Sequence, residues 1–193
     1  MNSVTVFCGA QSGRSDTYVR AAVELGRAIA RANLRLVYGG AAFGLMGVLA
    51  NAALSAGGTV VGVIPQNLGG REVAHTGLTE LHVVPDLHRR KALMAELGDA
   101  FVALPGGLGT VEELFEVLSW SHLRLHGKPC VVLDVQGYYR SLLAFVDHAV
   151  HEGFLVPGAA RRMTVCQQAD EVVTALTSLS RSGVHAEAGD RDG

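Results

Sequence analysis

Residues 104–113 read Leu-Pro-Gly-Gly-Leu-Gly-Thr-Val-Glu-Glu, and two chemistries compete for one carboxylate there. Thr110-Val111-Glu112-Glu113 fits the Ser/Thr-x-x-Glu capping box, in which Glu113 closes the first turn of a helix. Pro105 through Thr110 fits instead a phosphate cradle. In that reading the amides of Gly106, Gly107, Leu108, Gly109 and Thr110 converge on an anion, with a helix dipole behind them, and Glu113 stands beside the ligand. A second signal lies at 86–94, Asp-Leu-His-Arg-Arg-Lys-Ala-Leu-Met. With Asp86 as N-cap, Leu87, Arg90, Lys91 and Met94 recur at i, i+3, i+4 and i+7, so two cations share a stripe with apolar residues. An arginine fork grips phosphate or carboxylate bidentately; the alternative is that both cations snorkel from a surface helix.

These residues need a scaffold that brings them together. Short β-branched runs (VTVFCG, LRLVYGG, TVVGVIP, LHVVP, AFVALPGG, PCVVLD and a last strand near 163–166) alternate with helical patterns at 16–32, 44–56, 86–97, 110–124, 138–152 and 168–180. Near-continuous apolar strands are buried on both faces, and intervening helices imply parallel crossovers. The expected fold is α/β: a doubly wound, Rossmann-like parallel sheet of about seven strands with helices on both faces. Ligands of such sheets sit outside the carboxyl ends of the strands. Here those ends carry glycine turns, at Gly9, at Gly39-Gly40 and at Gly106-Gly107, which point to a phosphate-bearing ligand. Tight strand-to-helix turns are the plainer account of the same glycines.

Other chemistries lack their residues. Gly39–Gly44 resembles a dinucleotide fingerprint only loosely, and the next strand ends Val63-Ile64-Pro65 without the acidic ribose partner. There is no GxxxxGK[ST], no HExxH and no GxSxG, so no metal or cofactor is expected. His122 and His126 are spaced i, i+4 with no third ligand in view, and Cys8 reads as a small buried thiol. The long irregular stretch 65–78 is either a binding loop or a solvated connector.

A formal net charge of −2 with scattered basic residues leaves no footprint for nucleic acid or a membrane surface and favours a small-molecule ligand. Three separated cysteines read as reduced thiols, and no apolar run approaches a membrane span, so a cytoplasmic protein is expected. Residues 1–180 are expected to form one domain, with 181–193 a disordered polar tail.

Taken together, FCGAQSG at 7–13, YGGAAFGLMG at 38–47, LHRRKALM at 87–94 and LPGGLGTVEELFEVLSW at 104–120 resemble the LONELY GUY family, cytokinin-activating phosphoribohydrolases some of whose relatives were once labelled lysine decarboxylases. The resemblance implies hydrolysis of the N-glycosidic bond of an adenosine 5′-monophosphate, preferably N6-prenylated, to free base and ribose 5-phosphate. It puts the catalytic pair on Arg90 and Glu113, and nucleotide contacts on Glu72, Lys91, Gly107, Leu108, Gly109 and Thr110. It also implies a homodimer with sites near the interface. Met94 and Trp120 are candidate walls around N6, although Trp120 fits a core position equally well. A broad AMP nucleosidase and a non-catalytic carrier of a nucleotide or molybdenum cofactor are the alternatives. Three departures from the family pattern, Ala41, Ala10-Gln11 and Arg89, bear on phosphate affinity and substrate preference. No pyridoxal phosphate site is recognisable, which argues against the decarboxylase label.

Overall fold

The computed structural model describes residues 1–66, 73–156, 158 and 162–186. Its strands are β1 (Ser3–Phe7), β2 (Arg35–Tyr38), β3 (Val60–Pro65), β4 (Glu80–Val84), β5 (Phe101–Ala103), β6 (Cys130–Leu133) and β7 (Met163–Cys166). The helices are α1 (Asp16–Arg31), α2 (Gly44–Ser55), α3 (Leu87–Leu97), α4 (Leu108–His122), α5 (Arg140–His151) and α6 (Ala169–Ala186). Every strand pairing is parallel, in the order β4-β3-β2-β1-β5-β6-β7. The chain winds outward from β1 to β4, then restarts on the other side of β1 with β5. The connections after β1 and β5 therefore lead to helices on opposite faces, α1 and α4, and a crevice opens at this switch point.

Alternation along the central strands divides the core in two. Val4, Val6 and Cys8 of the β1 segment pack with α1, α2 and α6 on one face, while Phe7 packs with α3, α4 and the start of α5 on the other. Both faces of β1 are buried, as expected of a parallel sheet covered by crossovers. Ser3 and Thr5 are the buried polar residues of β1, and their hydroxyls donate to the Leu97 and Met94 carbonyls at 2.8 and 2.7 Å, tying the C-terminus of α3 to β1. Lys128 completes that end by donating to the Ala95 and Gly98 carbonyls at 2.6 and 2.7 Å. The helix that carries Arg90 is thus pinned at its last turn.

Three expectations need correction. β4 is not buried on both faces: it is an edge strand, with Leu81 and Val83 exposed and Val84 alone buried. α4 begins at Leu108, because the glycine-rich turn lets the backbone enter helix two residues before the Thr110 signal. α6 runs past Ser180 to Ala186, since propagation adds a backbone hydrogen bond for each further residue. Residues 187–193 lie outside the described residues.

Candidate active site

The loops leaving β1 and β5 are stitched together by backbone hydrogen bonds. Leu104 N donates to Phe7 O at 2.9 Å, Gly9 N to Pro105 O at 3.1 Å and Leu45 N to Gly9 O at 3.0 Å. The approach is close enough to exclude side chains. A Cβ on Gly106 would lie 2.1 Å from Thr110 Oγ1 and 2.9 Å from Gly9 N. Between the loops is a cavity of about 470 Å³, within the usual range for small-molecule sites.

The cavity gathers Gly9, Gly39, Arg90, Met94, Glu113 and the run Pro105–Thr110 along its walls. Gly107 is the N-cap of α4 and supplies no capping side chain, so among the described residues no side chain caps the first turn, where Leu108, Gly109 and Thr110 line the cavity. The helix start bears on the capping reading of Glu113. Thr110 is the third residue of α4 and Glu113 the sixth, so neither occupies a capping-box position, and Glu113 lines the cavity.

Arg90 is buried, and its Nη2 donates to Gly39 O at 3.0 Å and lies 3.7 Å from Met46 Sδ. The guanidinium thus crosses the carboxyl end of β2 from the α3 face toward α2. Asp86 caps α3 as expected, its Oδ1 accepting from Arg89 N at 2.8 Å. Among the described lining residues Arg90 is the cation and Glu113 the anion. Deeper in, Tyr38 is held protonated by burial, reinforced by Cys8 and opposed by the Arg90 charge.

Several expected site residues lie elsewhere. Lys91 points at α4, where its ammonium pairs with Glu112 and, at 3.0 Å, with Glu116. Burial pulls the ammonium's pKa down, but the two carboxylates outweigh it, so Lys91 remains charged. Gly40, with φ +77°, turns toward Val63 and Ile64 of β3 and does not line the cavity. Trp120 packs on the core instead of the cavity wall that Met94 supplies. Glu72 lies outside the described residues. The following segment folds back onto the second glycine turn: Ala42 N donates to Val73 O, His75 N to Gly40 O, and His75 Nε2 meets Asn51 Oδ1 at 3.0 Å. Residues 73–75 are therefore an anchored arm of the long loop.

Lys91→Met is expected to lower thermal stability by about 1 kcal/mol through looser α3–α4 packing. Scanning calorimetry checks this; an unchanged thermal midpoint would mean that the Lys91 pairs do not hold the two helices together.

Sequence reasoning missed Tyr18 and Tyr138, which also line the cavity. A signal for Tyr138 existed, since Gly137-Tyr138-Tyr139 follows the carboxyl end of β6, the next strand along the same edge.

Comparison with known proteins fits this geometry. The family model described as possible lysine decarboxylase matches residues 46–176. A cytokinin riboside 5′-monophosphate phosphoribohydrolase of Rhodococcoides fascians is 62% identical over 177 residues, 91% of this chain and 89% of that protein. The Arabidopsis thaliana enzyme LOG1, of the same name, is 47% identical over 173 residues, 90% of this chain and 81% of that one. Among solved structures, the molybdenum cofactor carrier protein of Chlamydomonas reinhardtii superposes with a TM-score of 0.71 at 21% identity, covering 94% of this chain and 99% of that one, a likeness of fold. The decarboxylase description does not suit the side chains here. A pyridoxal phosphate aldimine requires a lysine, and the chain's two are committed elsewhere, Lys91 to α4 and Lys128 to the end of α3.

Proposed function

Because this chain belongs to the LONELY GUY family of cytokinin riboside 5′-monophosphate phosphoribohydrolases, and so is an N-glycosyl hydrolase, we propose that Arg90 and Glu113 cleave a nucleoside 5′-monophosphate in the switch-point cavity. The substrate is an N6-prenylated adenosine 5′-monophosphate, and the products are the free base and ribose 5-phosphate. One observation carries the assignment of roles: an arginine and a carboxylate from different helices line the same cavity as the uncapped start of α4.

Cleavage of the glycosidic bond builds positive charge on the sugar ring, so an anion near the anomeric carbon lowers the barrier. The Glu113 carboxylate supplies that charge and orients the attacking water. Arg90, held on the Gly39 carbonyl, keeps a fixed cation beside the carboxylate and the departing base. The α4 amides and dipole receive the 5′-phosphate. Protein amides and one guanidinium neutralise the charge, so turnover in EDTA is expected to equal turnover without it.

We further propose a homodimer, supported by the exposed apolar Leu123, Leu125, Phe145 and Phe154, and a cytoplasmic location. A monomer mass by light scattering would refute the dimer. The test of function is base release from AMP and from isopentenyladenosine monophosphate, followed by chromatography. Faster release from the prenylated nucleotide is expected; equal rates would indicate a broad AMP nucleosidase, and binding without release would indicate a carrier.

A further inference from the structure

The loop between β5 and α4 presents three consecutive carbonyls, and each is taken by a donor from another part of the chain. Leu104 O accepts from the Tyr139 hydroxyl at 2.5 Å, Pro105 O from Gly9 N at 3.1 Å, and Gly106 O from the Tyr138 hydroxyl. The two tyrosines are neighbours in sequence but differ in setting. Tyr139 is fully buried, its amide bonded to Asp134 Oδ1 at 2.7 Å, whereas Tyr138 is 42% exposed and lines the cavity. The Tyr138 ring meets Tyr18 edge-on, with centroids 5.7 Å apart, and Tyr139 likewise at 5.0 Å. It is delivered there by two successive left-handed residues, Gln136 at φ 55° and Gly137 at φ 73°.

We propose that Tyr138 is a positioning residue that fixes the Gly106–Gly107 peptide for the phosphate of the substrate. A Gly-Gly peptide has the widest conformational freedom of any, and although Gly106 is packed against Thr110 and Gly9, a Cβ on Gly107 would meet nothing within 4 Å, so packing leaves the Gly107 side of the peptide unrestrained. In a trans peptide the carbonyl and the following N–H point in opposite directions. Holding Gly106 O therefore also sets the direction of Gly107 N–H at the entrance to α4. The buried Tyr139 anchors the base of the loop, and the Tyr138 hydroxyl orients its tip. The inference rests on the reading that this loop and the α4 amides receive a phosphate.

Tyr138→Phe keeps the ring and its contacts and removes only the donor. Equilibrium binding of AMP and of adenosine to the wild type and the variant is measured without reference to turnover. The expected result is about a fivefold loss of AMP affinity, with adenosine affinity and thermal midpoint unchanged. In turnover the same loss appears in KM for the nucleotide, with kcat within about twofold of wild type. Unchanged AMP binding, or equal losses for AMP and adenosine, would overturn the proposal. Failure of the hydrolase assignment is read separately, as absence of base release by the wild type.

Discussion

Glu113→Gln is expected to reduce base release from nucleoside 5′-monophosphates by about three orders of magnitude, with AMP still bound and the protein still folded. The substitution preserves volume and hydrogen-bonding reach but removes the charge. A neutral amide neither stabilises a developing sugar cation nor accepts a proton from water, so the loss falls on kcat. The fold should tolerate the change because α4 is held by Leu114 and Val117, which are buried against the sheet, while Glu113 faces the cavity. AMP binding should persist because the phosphate is assigned to the first turn of α4 and Glu113 lies one turn further on. Chromatographic base release and thermal denaturation on one preparation measure both halves. A variant within about tenfold of wild type would remove Glu113 from the chemistry.

Much of this site was legible in the sequence because the parallel sheet concentrates ligands at one edge. β1, β2, β3 and β6 are β-branched runs buried on both faces, and the glycine turns that follow β1, β2 and β5 lie on the expected side. β4 carries Glu80 and His82 among its apolar residues, and its place at the end of the sheet order leaves Leu81 and Val83 exposed. Arg90 and Lys91 show the limit of helical periodicity. Adjacent residues are separated by about 100° around a helix, so a pair sharing an apolar stripe can split at its border. One cation enters the cavity and the other meets α4, and the choice depends on the azimuth of α3, which Thr5 and Lys128 help set from distant parts of the chain. Tyr18 was invisible for a related reason, since a ring's edge contact has no fixed spacing, whereas Tyr138 carried only the signal of its place after β6.

The adjacent glycines after β2 separate catalysis from stability. Gly39→Ala is expected to cut activity about a hundredfold while costing the fold little, whereas Gly40→Ala is expected mainly to destabilise. A Cβ on Gly39 would fall 1.9 Å from Arg90 Nη2 and 2.9 Å from Met46 Sδ. The nearest atom is the far end of a flexible side chain, so the collision is relieved by displacing the guanidinium, and no strand has to move. The displaced arginine loses its bond to Gly39 O and its place in the cavity that Glu113 also lines, and with Arg90 in the proposed role a shift of about 1 Å is enough for a loss of that size. Gly40 differs in both backbone and surroundings. Its φ of +77° disfavours any side chain, and a Cβ there would press at 3.2 Å on Val63 and Ile64 in the core of the sheet. Comparing kcat with the thermal midpoint for the two variants distinguishes the effects. Gly39→Ala retaining more than half its activity would mean that the position of Arg90 over the end of β2 does not matter to turnover.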